Sequence, residues 1–460
     1  MKFCYGVIAL ASLFFFHMPV SAAPTEKRGI LSSPFETLES GGVTFKVQQV
    51  PSRKSHISQT GKGAMAMARA YFKYGASLPD DLITYLEQIL PGFGSSSKPG
   101  AGNGITASLQ GEVAATPAMF DSEYLCPVQI GTPPQTLHLD LDTGSSDFWV
   151  FSTETPKSQI NGQTVYNISQ SSTAKPLQGE SWQISYGDGS SSSGNVYLDT
   201  VSVGGVTVTD QAVESAINVS LAFTQRPDTD GLVGLAFGTL NTVSPDKQRT
   251  FFDNAMRQLA APVFTANLKS AEPGNYNFGF IDASEFTGQI TYVPTNTSAG
   301  LWQFPVQGFK IGNTTASSSL KTAATETDIV VSQPHDAIAD TGTTLLLVPE
   351  AIAVAYYAQI PGAINAVAAS GGWVFPCGAG ATIPSFTALI GPYEAVVPGE
   401  FIIFAPVDGR SFADATTCFG GIQAVPKGIP FAIYGDVFLK SQFVVFDNGN
   451  RQLGFAPKPL

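Results

Sequence analysis

From Tyr124 onward, apolar residues fall in short runs or alternate with polar ones, the spacing of strands with one or both faces buried. Leu125–Ile130, Leu137–Leu141, Trp182–Tyr186, Tyr197–Val203 and Val206–Val208 are such runs, separated by Gly, Pro and Asn turns. Helical spacing is rare. It predicts helices over Phe251–Leu259 and over Pro349–Tyr357, where Pro suits the first helical position. The serine run Ser190–Ser193 reads as a hairpin tip. Ahead of Tyr124 the pattern changes. Val43–Val50 alternates like a strand, and Leu82–Leu90 carries helix-spaced apolar positions after a cap at Asp80. Pro91–Gly111 is rich in Gly, Ser and Pro, as a flexible, cleavable linker is. The pattern predicts an all-β body behind a separate leader.

At 460 residues the chain is too long for one core and suits two large lobes. Charged residues make up only 13% and Phe alone counts 32, which excludes a disordered chain. The net charge of −12 argues against nucleic acid as a partner. That charge is unevenly spread. Residues 23–113 hold nine Lys or Arg and seven Asp or Glu, net +2, whereas residues 114–460 hold 14 and 29, net −15. A basic leader on an acidic body suggests an electrostatic lid. At the N-terminus, Lys2, the apolar run Val7–Phe16 and Val20-Ser21-Ala22 have the form of a signal peptide over residues 1–22. Its apolar core is too short to span a membrane, so a secreted, extracellular protein without membrane attachment is expected. Four cysteines become three once Cys4 is removed with the signal. Sequons at Asn167, Asn218, Asn296 and Asn313 are glycosylation candidates and agree with export.

One signature occurs twice. Asp142-Thr143-Gly144-Ser145 follows the apolar run ending at Leu141, and Asp340-Thr341-Gly342-Thr343 follows Ile338-Ala339, 198 residues later. A lone Asp-Thr-Gly is a common turn. Two copies, each behind a strand, suggest a duplicated lobe carrying one carboxylate per copy. Such a duplication predicts a second matched feature, and an apolar strand broken by glycine occurs in each half. Gly231 of Asp230–Leu235 lies 89 residues after Asp142, and Gly435 of Ile433–Phe438 lies 95 after Asp340. Glycine in a strand permits close backbone approach.

With these residues, and with Phe148-Trp149-Val150, Ser185–Ser190, the Cys377/Cys418 spacing and Phe446–Ala456, the chain resembles the pepsin-like aspartic proteases, specifically their secreted fungal branch. The resemblance runs in order over about 118–460. It implies a bilobal, all-β fold of two pseudo-twofold-related lobes with a few short helices, the N-terminal lobe over 114–290 and the C-terminal lobe over 291–460. A prosegment and linker would occupy 23–113. It implies Asp142 and Asp340 as the catalytic pair, sharing a proton because two adjacent carboxyls resist double ionisation. Gly144 and Gly342 would let the loops approach, Thr143 and Thr341 would tie them together, and Ser145 and Thr343 would hold the outer carboxylate oxygens. Tyr186, Gly187 and Asp188 match a flap over the substrate, with the Tyr186 hydroxyl bonded to Trp149. Asp188 is associated in this branch with accepting Lys before the scissile bond. Lys73-Tyr74 matches a prosegment motif that plugs the two acids until low pH releases it. Cys377 and Cys418 would form a disulfide, leaving Cys126 as a buried thiol.

The implied function is a secreted acid endopeptidase cutting between bulky hydrophobic residues. It would be made as a zymogen and act as a monomer, with protein and peptide substrates, its own prosegment as inhibitor, and neither cofactor nor metal. Beside the pair, Asp140 shares the strand face of Asp142; it either raises the acids' pKa or is solvated. His138 reads as a solvent-facing or satisfied histidine. An inactive binding homologue would have lost an Asp, and both are present. A serine or zinc hydrolase lacks its motifs here, with only His138 and His335 after the leader. A glycosidase also uses two carboxylates, but the repeat and the Tyr186 hairpin argue against it.

Overall fold

The computed structural model describes residues 45–48, 61–89, 121–185, 191–312, 329–378, 381–408 and 411–460. The signal peptide, the linker over 91–111, Tyr186, Gly187, Asp188 and Asn313 lie outside the described residues. The architecture is mostly β with short helices, the pepsin-like fold that the resemblance implied.

Each half is built on a seven-stranded sheet. The first holds β1 (Leu125–Ile130), β2 (Gln135–Asp142), β3 (Phe148–Phe151), β4 (Lys175–Ser185), β5 (Ser191–Val203), β6 (Val206–Val219) and β7 (Gly231–Gly234), in the order β1-β2-β7-β3-β6-β5-β4. The second holds β8 (Gln303–Gly312), β9 (Ile329–Ala339), β10 (Leu346–Val348), β11 (Ser385–Ile390), β12 (Tyr393–Val397), β13 (Ile422–Ala424) and β14 (Ala432–Tyr434), in the order β12-β11-β8-β9-β14-β10-β13.

The duplication is visible in the pairing. β2 runs parallel to β7, and β7 antiparallel to β3. In the second half β9 runs parallel to β14, and β14 antiparallel to β10. In each half the strand carrying the acid is therefore flanked by the glycine strand, which returns beneath the loop that follows the acid. A third sheet of six strands spans both halves. It joins Val263–Asn267 and Asn275–Phe278 to Gln442–Asp447, Gln452–Pro457 and Thr291–Pro294, and carries the leader strand Phe45–Gln48 at one edge. Cys377 and Cys418 are disulfide-bonded, and Cys126 is a buried free thiol on β1.

Several local expectations are corrected. Ser191–Ser193 belong to β5, where Ser192 pairs with Ile184 and Ser193 with Gln183, so this run is strand rather than hairpin tip. Serine lacks the apolar alternation that marks a strand, and neighbouring strands supply the pairing instead. The helix expected over Phe251–Leu259 is shorter, Phe251–Ala255, started by a capping box of Thr250 and Asp253. Pro349 is the N-cap of Glu350–Tyr357, one place before the first helical position.

The leader contributes α1 (Lys62–Lys73) and α2 (Asp80–Ile89). The pattern-based reading had no helix at α1. Its residues are mostly Ala, Met and Lys, strong helix formers; Gly63, Ala64, Met65, Ala66, Met67, Ala68, Ala70 and Phe72 are buried while Lys62, Arg69 and Lys73 recur at helical spacing, so a helical period was present there and was missed. Its end is sharply defined. Gly75 takes a left-handed φ of 66°, its N–H bonds to Phe72 O at 3.1 Å, and Ala76 N–H bonds to Tyr71 O at 2.9 Å. That double closure stops the helix at Lys73. It presents Lys73 and Tyr74 at a fixed point.

Candidate active site

Asp142 ends β2 and Asp340 directly follows β9, and both side chains have no solvent exposure. The two loops are locked by a reciprocal set of bonds. Thr143 N–H donates to Thr341 Oγ1 at 3.1 Å, and Thr341 N–H donates to Thr143 Oγ1 at 3.0 Å. The hydroxyls then donate to the opposite strand ends, Thr143 to Ala339 O at 2.8 Å and Thr341 to Leu141 O at 2.5 Å. Each threonine thus satisfies buried backbone groups of the other half, groups that would be costly to leave unpaired.

The carboxyls are held in matching ways. Gly144 N–H reaches Asp142 Oδ1 at 2.8 Å and Ser145 Oγ reaches Oδ2 at 2.5 Å. Gly342 N–H reaches Asp340 Oδ1 at 3.0 Å and Thr343 Oγ1 reaches Oδ2 at 2.5 Å. A Cβ on Gly144 would lie 2.5 Å from Asp340 Oδ1, and one on Gly342 would lie 2.4 Å from Asp142 Cγ. The strand glycines act one layer below: a Cβ on Gly234 would meet Ser146 Cα at 2.5 Å, and one on Gly435 would meet Thr343 O at 2.0 Å.

Lys73 enters from the leader. Its Nζ lies 2.7 Å from Asp142 Oδ1 and 2.7 Å from Asp340 Oδ1, and the Tyr74 hydroxyl donates to Asp340 Oδ2. Burial opposes the charge on Lys73, but the two carboxylates outweigh it and hold its pKa above the ordinary value. Burial pushes both acids upward and Lys73 pulls both down. Asp340, with the extra hydroxyl bond from Tyr74, ends below the usual carboxylate range, and Asp142 ends above it.

The open choice at Asp140 resolves toward burial. It is 2% exposed, and burial, opposed by Arg226, pushes its carboxyl up to about 8. Arg226 Nη2 pairs with Glu123 and lies 3.6 Å from Asp140 Oδ2. His138 is half-buried, its Nδ1 3.7 Å from Asp230 Oδ2. Trp149 is buried, stacked on Trp182 at 6.0 Å and edge-on to Phe223 at 5.0 Å, and its Nε1 has no acceptor among the described residues. Its expected partner Tyr186 lies outside them. Asn218 and Asn296 are exposed and Asn167 half-buried. A cavity of about 70 Å³ lies between the leader and the body beside Asp142 and Ser145, with Trp149, Ile184, Phe223, Leu232 and Arg226 on the body side. No cluster of metal-ligating side chains occurs among the described residues, and no described helix is long and apolar enough to cross a membrane.

The model of the eukaryotic aspartyl protease family matches residues 123–458. The chain belongs to the eukaryotic aspartyl protease family. Endothiapepsin of Cryphonectria parasitica is 47% identical over 440 residues, 95% of this chain and 96% of that one. Penicillopepsin-3 of Penicillium janthinellum is 47% identical over 416 residues, 90% of this chain and 92% of the relative. Aspergillopepsin-1 of Emericella nidulans is 50% identical over 353 residues, 76% and 82% of the two chains. The chain is thus an aspartic endopeptidase of the fungal pepsin-like group.

Beneath the Asp142 loop of this aspartic protease sits a second carboxyl pair that pattern reading missed. Asp147 and Glu214 are 3% and 1% exposed. Asn241 Nδ2 donates to both, at 2.9 Å each. Burial is the main cause of both shifts: it holds Asp147 up to about 6 and Glu214 well above its ordinary value. No motif marks them, because 67 residues separate them in the chain.

Two expectations follow. Gly144→Ala should lower kcat/KM on a peptide by roughly a hundredfold, because the added Cβ displaces Asp340 by a fraction of an ångström; retained activity would mean the loops have slack. In the second, the folded acids keep protons that the unfolded chain loses above about pH 4. Stability therefore falls as pH rises from about 4 through 6 and beyond. The thermal midpoint should decline over that range, and Glu214→Gln should flatten the decline.

Proposed function

We propose that Asp142 and Asp340 hydrolyse peptide bonds in acid, between bulky hydrophobic residues, by activating a water molecule held between them. The observation that carries this is the placement of two fully buried carboxyls on mirrored loops, each with one oxygen held by a Ser or Thr hydroxyl and the other facing the shared Lys73 position. With Lys73 withdrawn, two adjacent buried carboxyls retain one proton between them. The ionised member takes a proton from water, and the protonated member hydrogen-bonds the substrate carbonyl. Water adds to the carbonyl carbon, the tetrahedral intermediate forms, and a proton passes to the leaving amine as the C–N bond breaks. The apolar wall of Trp149, Ile184, Phe223 and Leu232 supports a preference for large apolar side chains. Lys acceptance through Asp188 belongs to this proposal, as do the flap role of Tyr186 and Gly187, export after removal of residues 1–22, and lobes at 114–290 and 291–460.

We further propose that residues 23–113 form an inhibitory prosegment with Lys73 and Tyr74 as its plug. Asp340 supports the acid trigger by its sign. Its ionised form is favoured in the folded precursor, a stabilisation present above the ordinary carboxylate range and lost as pH falls through the lowered value.

Released enzyme at about pH 3–5 should cleave casein, pepstatin should stop it, and Asp142→Asn should abolish it. Full activity in that variant, or cleavage indifferent to pepstatin, would refute the mechanism. Lys73→Ala strands two buried carboxylates, a loss of about 3–5 kcal/mol in comparable pairs. The precursor should misfold or activate early at neutral pH, and a folded, latent variant would contradict the plug.

A further inference from the structure

We propose that Arg226 selects a carboxylate side chain, Glu or Asp, in the peptide substrate. The selected residue lies two positions from the one that fills the apolar pocket beside Asp142. The inference rests on the cleft reading above and extends it to charge.

Arg226 sits in the cavity wall beside Trp149, Ile184, Phe223 and Leu232, on the same side as Asp142. Its side chain is 9% exposed with the leader in place. Behind it stand Glu123, bonded to Nη2, and Asp140, 3.6 Å away. Neither acid lines the cavity, so the group offered to an occupant is the cation. A guanidinium has five donors in a fixed fork, and here Nε has no acceptor among the described residues. The buried pair with Glu123 keeps the fork in place, and Thr229 Oγ1 donates to the same Glu123 oxygen at 2.7 Å. A substrate accepting side chain would therefore meet an already positioned donor.

The leader does not satisfy that donor. It places Arg69 in the same cavity, and Arg69 Nε is likewise without an acceptor. Burial and the proximity of Arg226 bring the Arg69 pKa down to about 10. The precursor thus fills this corner with a group of the wrong sign, held by the carboxylates behind it. Once α1 leaves, a carboxylate matches Arg226 better than any basic side chain does. An extended peptide points alternate residues to the same side, so the residue contacting Arg226 lies two positions from the one in the apolar pocket.

The test uses activated enzyme and a series of peptides sharing one cleaved bond. Glu, Gln or Lys is placed in turn at each other position, and kcat/KM is read at pH 5. At one position, two residues from an apolar one beside the bond, Glu should exceed Lys by roughly tenfold or more. Arg226→Gln should bring that ratio close to one while Gln peptides remain the internal reference. Should Arg226→Gln fail to fold with Glu123 left unpaired, the double variant Glu123→Gln/Arg226→Gln removes both charges and should give the same collapse of the ratio. A wild-type enzyme with no Glu preference at any position would overturn the proposal, as would a preference that survives loss of the arginine. Failure to cleave the Gln peptides would overturn it together with the cleft reading on which it rests.

Discussion

Two carboxyl groups without solvent exposure, brought together from distant parts of one chain, set the terms for everything around them. Buried carboxylates are costly unless paired or hydrogen-bonded, and adjacent ones repel. The structure answers with donors on every side. Backbone N–H groups of Gly144 and Gly342, hydroxyls of Ser145 and Thr343, and a lysine from the leader all converge on Asp142 and Asp340. The two threonines then bind loop to loop, so neither acid can move without the other half following. The close approach of these loops is why glycine stands at 144 and 342, where any side chain would strike the opposite carboxyl.

The same logic spreads outward. Asp140 lies two residues before Asp142 on the same strand and is held toward its neutral form by burial, which outweighs the nearby Arg226. Asp147 and Glu214, buried behind the loop, are both held toward their protonated forms. A body carrying 29 acids among residues 114–460 therefore keeps several of them protonated inside, where acid pH favours the fold. The net acidity of the chain and the stability of its interior point to the same working range.

Much of the core was legible along the chain because some positions constrain residue type whatever the context. A tight loop holding a carboxylate demands glycine and a hydroxyl, and a strand passing under it demands glycine again. The Asp142 and Asp340 loops and the Gly231–Gly234 strand could therefore be read directly, and β1 was bounded correctly at Leu125–Ile130 by its turns. What pattern could not show depends on contacts between distant residues. α1 is the exception, because Lys62, Arg69 and Lys73 recur at helical spacing among its buried Ala and Met, so its period was legible. Ser191–Ser193 became strand through pairing partners, not through propensity. Arg226 meets Glu123 across 103 residues, and no local signal announces that pair.

The central claim is that one carboxyl of the pair acts ionised and the other protonated. The pH dependence of kcat/KM on an uncharged peptide reports both ionisations in the free, leader-released enzyme. The account predicts a bell confined to acid, its lower limb set by the carboxyl that must be ionised and its upper limb by the one that must be protonated. A profile that climbs to a plateau at neutral pH, with no upper limb, would contradict it.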